Sequence, residues 1–140
     1  MKILFAADGS KYTKKAIAFL VTHESLAGPE DELVVLNVQS PVPGRVTTML
    51  GSANVKAYHE EEAKKVLDPI ERLLKRHKLK FRMTWVIGSA APELVRAATR
   101  EKVHMIVMGT HGQGLLSRAL MGSVAQRVVA DCEIPVLLVK

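Results

Sequence analysis

Gly109, Gly112, Gly122 and Ser123 stand at the spacing G-x2-G-x9-G-S within the stretch from Met108 to Val124. An apolar run, Val103 to Met108, precedes them, and Val124, Ala125, Val128 and Val129 recur behind them at helical spacing. The order is strand, glycine-punctuated loop, helix start. Glycine lets a backbone turn through positive φ and come close to a ligand. The first turn of a helix adds N–H groups with no intrahelical acceptor and a partial positive charge. Phosphate oxygens suit such a cradle. The spacing is neither the Walker pattern G-x-x-x-x-G-K-[ST] nor the dinucleotide pattern G-x-G-x-x-G, so neither mechanism transfers.

Asp8 is the second chemical candidate. It follows the first apolar run, where a carboxylate could accept bonds from a ribose hydroxyl or hold a magnesium ion that bridges phosphates. In Asp8-Gly9-Ser10 it could equally form an Asx turn or cap a helix. Ser123 likewise has a local reading, because Ser123-Val124-Ala125-Gln126 has the capping-box form S-x-x-Q. The five histidines show no metal-ligand spacing, and His111 reads as an exposed loop residue. No G-x-S-x-G elbow presents a serine nucleophile, which leaves a Ser123/His111/Asp8 triad without support.

The elements that must hold these residues alternate along the chain. Residues 2–7 are an apolar strand. Ala16, Ile17, Leu20 and Val21 then mark the buried stripe of a helix, and Gly28-Pro29 closes the unit. Residues 32–38 read as a second strand, followed from Pro41 by a loop that runs to about Gly51. A long helix is predicted from Ala53 to His77, bent near Pro69. Leu79 to Ile87 alternates apolar and polar residues, a strand with one wet face. A helix from Pro92 to Arg100, the strand 103–108, the helix from Ser123 to Ala130 and a last strand, Pro135 to Val139, complete the order. Five strands alternating with four helices predict a single α/β domain, an open five-stranded parallel sheet with helices on both faces.

Composition bounds the rest. A chain of 140 residues, 48% apolar and 24% charged, is an ordinary globular domain with no stretch long enough to span a membrane. The N-terminus opens directly on a strand, so no signal peptide is expected and the cytoplasm is the default location. One cysteine, Cys132, precludes an intrachain disulfide and any CxxC site. The net charge of +6 could support weak nucleic-acid contact, but the basic residues are dispersed and aromatics make up only 4%. Nucleic acid is therefore an unlikely partner, and the basic stretch from Arg72 to Arg82 reads as a solvated face.

The glycine pattern, with Ile3-Leu4-Phe5-Ala6-Ala7-Asp8-Gly9-Ser10, Leu36-Asn37-Val38 and Ile134-Pro135-Val136-Leu137-Leu138-Val139, resembles the universal stress protein family, in particular its ATP-binding branch. The resemblance covers essentially the whole chain. It implies strand order 3-2-1-4-5, a Rossmann-like sheet that brings Asp8 and Gly109 to one crevice. It also implies ATP as ligand, with Mg2+ possible at Asp8 through the phosphates. The triphosphate would be held by Gly109, Gly112, Gly122, Ser123 and Val124, with Ala6 and Val38 lining the adenine pocket and Met108 near the ribose. Ala6 and Asn37 depart from the residues frequent at those positions. With that order the last strand is an apolar edge, so a homodimer through it is expected. The reading is a cytoplasmic, nucleotide-dependent stress-response dimer with slow or no turnover. The alternatives are a weak ATPase or autophosphorylating enzyme, and a nucleotide-free interaction module.

Overall fold

The computed structural model describes residues 1–112 and 121–140; the middle of the glycine stretch, residues 113–120, lies outside the described residues. The described elements are β1 (Lys2–Ala6), α1 (Lys11–Thr22), β2 (Glu32–Gln39), α2 (Gly44–Leu50), α3 (Ser52–Lys75), β3 (Lys80–Ile87), α4 (Ala90–Arg100), β4 (Met105–Gly109), α5 (Ser123–Asp131) and β5 (Val136–Val139). All strand pairings are parallel, in the order β3-β2-β1-β4-β5.

The central strands carry apolar residues on both faces because both are covered. Ile3 and Phe5 of β1 and Leu33 and Val35 of β2 face Ala16, Ile17 and Leu20 of α1 and Ala63, Leu67, Ile70 and Leu74 of α3. Leu4, Val34, Leu36 and Ile106 form the opposite core with Leu94, Ala97 and Ala98 of α4 and Ala125 and Val128 of α5. Strand β3 keeps the predicted wet face, with Lys80, Arg82 and Thr84 exposed between half-buried Phe81, Met83 and Trp85. Arg82 lies across the sheet's amino end, paired with Glu32 at 3.1 Å and with Glu101. The arginine holds the Glu101 carboxyl below the usual carboxylate range.

Local expectations are corrected at α2, at the start of α4 and at Ser123. The segment expected as a loop up to Gly51 contains α2, a fifth helix among the described residues. It buries no side chain, so it leaves no apolar stripe in the sequence to betray it. Helix α4 begins at Ala90, two residues before Pro92, which places the proline in the first turn where its missing N–H costs nothing. Helix α3 matches the predicted span, Ser52–Lys75 against Ala53 to His77, with Pro69 inside it as expected. The Ser123 capping box does not form. Gly122 is the N-cap, and the Gln126 amide donates to the Met121 carbonyl at 2.7 Å.

Candidate functional site

The winding reverses at β1, which pairs with β2 on one side and β4 on the other. Helices leave from opposite faces at such a point, and a crevice opens beyond the carboxyl ends of the strands. Here it measures about 770 Å³. Ala6, Asp8, Val38, Met108, Gly109, Gly112, Gly122, Ser123 and Val124 all line it. Residues drawn from four separate segments of the chain thus meet in one place.

Asp8 is held by its own turn. Its Oδ1 accepts from the Ser10 N–H at 2.9 Å and from the Thr13 hydroxyl at 2.7 Å, while the Asp8 N–H donates to Thr13 Oγ1 at 3.1 Å. Gly9 takes φ 80°, a left-handed conformation that glycine adopts without a steric penalty. Ser10 then caps α1, accepting from the Thr13 N–H at 3.3 Å. The Asx-turn reading is therefore realised, and the turn leaves Asp8 Oδ2 on the side of Gly112. A Cβ placed on Gly112 would lie 2.7 Å from Asp8 Oδ2.

The glycines of the pattern have different reasons to be glycine. A Cβ on Gly109 would lie 2.5 Å from Cβ of Tyr12 and 3.1 Å from its carbonyl carbon, so this position is small because α1 packs onto it. Gly109→Ala should accordingly destabilise the fold by about 1–3 kcal/mol, since the obstruction is helix backbone and the root of a side chain rather than a flexible tip. The denaturant midpoint of the variant checks this. Gly122 has φ −62°, open to any residue, and its N–H donates to the Thr110 carbonyl at 2.7 Å. That N–H is committed to the loop. The first-turn amides of α5 that follow it, at Ser123 and Val124, lack an intrahelical acceptor by their position.

The floor of the crevice contains a polar chain that the sequence reading did not pick out. Buried Asn37 donates from Nδ2 to the Ala7 carbonyl at 2.9 Å, tying β2 to the residue before Asp8. The Gln39 amide nitrogen donates to Asn37 Oδ1 at 3.2 Å and to the His59 carbonyl at 2.8 Å. Its oxygen lies 2.6 Å from Nδ1 of His59, which is buried against Trp85. With the amide nitrogen so committed, the oxygen is the acceptor and His59 Nδ1 carries the proton. A signal was available: Asn37 and Gln39 alternate on the face of β2 turned toward α3. Polar residues on an inner strand face must find partners.

Helix α3 supplies the outer wall through Tyr58, Glu62, Lys65 and Val66. Lys65 donates to Glu62 Oε1 at 2.9 Å, and that bond raises the lysine pKa. On the loop side, His111 lies 2.9 Å from the Thr110 hydroxyl through Nδ1, and its ring packs on Tyr12 at 4.8 Å. Among the described residues no cluster of three or more His, Cys, Asp or Glu could hold a metal ion, and no helix is long and apolar enough to cross a membrane.

Comparison with known proteins agrees with this architecture. The family model "Universal stress protein family" matches residues 1–140. A universal stress protein of Thermus aquaticus is 33% identical over 99% of this chain and 97% of its own length. One from Methanocaldococcus jannaschii is 29% identical over 99% of this chain and 94% of its own. Its solved structure superposes with a TM-score of 0.82. At 16% identity, an Arabidopsis thaliana family protein solved with AMP bound shares the fold, with a TM-score of 0.68 over 100% of this chain and 91% of that one. The chain belongs to the universal stress protein family.

Proposed function

We propose that this protein binds an adenine nucleotide, ATP foremost, in the crevice between β1 and β4, and acts as a cytoplasmic stress-response regulator through a homodimer paired along β5. The observation that carries the reading is the convergence of Asp8, Gly112, Gly122, Ser123 and Val124 on one crevice at the switch point. The apolar residues Ala6, Val38 and Met108 line the same space and suit a purine ring. A protein of the same fold holds AMP, so the fold can accommodate this class of ligand.

Ser123 and Val124 would donate N–H groups to the phosphates, with Gly112 leaving room beside them and the Ser123 hydroxyl adding a further donor. Gly109 contributes by letting α1 seat close to the loop. Asp8 fits a ribose hydroxyl, or a magnesium ion held mainly by the phosphates, since Mg2+ commonly takes one or two carboxylates and fills its remaining positions with phosphate oxygens and water. A metal site made by protein alone is not what these residues offer.

Mass analysis of small molecules retained through purification, with calorimetric titration of ATP, tests the reading. A bound adenine nucleotide and a saturable titration are expected. Absence of both would leave the loop as a structural feature of an interaction module. Hydrolysis should be slower than about one turnover per second, the low end for typical enzymes, because the loop contains no Walker lysine and none of the described lining residues stands out as a general base. Phosphate release measured at protein excess decides this.

A further inference from the structure

A site for a polyphosphate needs positive charge, and the described lining of this crevice carries little of it. Asp8 and Glu62 contribute two carboxylates, while Lys65 is the one lysine or arginine among the described lining residues. Its place follows from helix geometry. On α3, Tyr58, Glu62, Lys65 and Val66 fall on the crevice side, while Ala63, Leu67 and Ile70 enter the core. The other ion pairs along this helix, Lys56 with Glu60 and Lys75 with Glu71, have neither member in the crevice lining.

We propose that Lys65 recognises the phosphate chain of the nucleotide, leaving Glu62 to do so, and that Glu62 is its resting counter-ion. The inference rests on the nucleotide reading above and adds how the ligand's tail is selected. The Lys65–Glu62 pair is solvent-exposed, with side-chain exposures of 63% and 37%. Such a pair is weakly held, so exchanging one acceptor for another costs little. A polyphosphate offers several negative charges where Glu62 offers one, and the low-dielectric walls of a crevice strengthen the attraction. Lys65 already lines the crevice, and its ammonium carries three donors on a flexible stem, so it can exchange one acceptor for another. Glu62 both restrains the lysine and repels an incoming phosphate.

The two members of the pair should therefore act with opposite sign. Lys65→Met, which keeps the apolar stem, should weaken ATP binding roughly tenfold and leave adenosine binding unchanged. It should also make the dependence of ATP affinity on salt shallower. Glu62→Gln should tighten ATP binding by about threefold, in line with removal of one repulsive charge, and Lys65→Arg should retain wild-type affinity to within about twofold. Calorimetry with ATP and adenosine on all four proteins, with melting curves confirming that each is folded, reads these effects. Equal ATP affinity in wild type and Lys65→Met would overturn the proposal while leaving the nucleotide reading standing. So would a loss of ATP affinity in both Lys65→Met and Glu62→Gln, or an equal loss for adenosine, because a merely structural ion pair behaves that way. If the wild type binds neither ligand, the nucleotide reading itself fails.

Discussion

Valine at both Gly112 and Gly122 is expected to abolish ATP binding, by at least about a hundredfold or ~2.7 kcal/mol, in a protein that remains folded. The two positions act differently. At Gly112 the new Cβ would lie 2.7 Å from Asp8 Oδ2, so the carboxylate must move out of the geometry that the Asp8-Gly9-Ser10 turn sets. The side chain would also enter the crevice that Ser123 and Val124 line. At Gly122 the backbone, at φ −62°, accepts valine without strain, but an isopropyl group would stand at the N-cap of the helix whose next two amides are assigned to phosphate. Neither glycine is a member of the two apolar cores, which are built mainly from the strands and the packed faces of α1, α3, α4 and α5. Folding should be retained with a modest fall in melting temperature. Calorimetry on the double variant, with circular dichroism as the fold control, measures both parts. Affinity equal to wild type in the folded variant would refute the phosphate cradle. Gly109→Ala separates packing from binding in the same loop, since its obstruction is Tyr12 rather than the crevice.

Leu138→Pro is expected to convert a dimer to a monomer. Strand β5 is a sheet edge, and its four residues Val136 to Val139 are each half-buried in the isolated chain. Leu137 and Val139 pack on the core beneath α1, and Val136 and Leu138 on the core beneath α4 and α5. A charge at Leu137 or Val139 would damage the monomer as well as any interface, so a backbone change is the cleaner probe. The Ile106 N–H donates to the Pro135 carbonyl and the Thr110 N–H to the Val139 carbonyl, both toward β4. In a strand the intervening residues, Val136 and Leu138, direct their amides to the open edge. Proline removes such an outward N–H and is tolerated on edge strands for that reason. The variant should sediment as a monomer and melt a few degrees lower, because it also loses the leucine side chain. Wild-type protein that sediments as a monomer at micromolar concentration would refute dimerisation through β5.

Much of this molecule was legible in its residue order. Strands with apolar residues on both faces, alternating with amphipathic helices, require a covered parallel sheet. The strands at 2–7, 32–38, 79–87, 103–108 and 135–139 coincide with β1 to β5 to within a residue or two. The strand, loop and helix start around the glycine spacing were visible as local patterns, whereas the meeting of Asp8 and Gly109 in one crevice followed from the strand order that the family resemblance implied, because periodicity does not order strands. Helix α2 escaped because its hydrogen bonds are local and its side chains bury nothing, so proline and glycine were the loudest signals in that segment.

The tertiary structure alone decided what each of those residues faces. Periodicity reveals which side of an element is buried. It does not reveal which side chain of a distant element lies opposite, because that depends on strand register and on where helices cross the sheet. Hence Gly109 proves to be small for Tyr12 and Gly112 lies against Asp8, although the loop pattern treats both glycines alike. For the same reason the Asn37–Gln39–His59 chain beneath the crevice, and the place of the local Lys65–Glu62 pair on its wall, emerged only when β2 and α3 were placed beside β1.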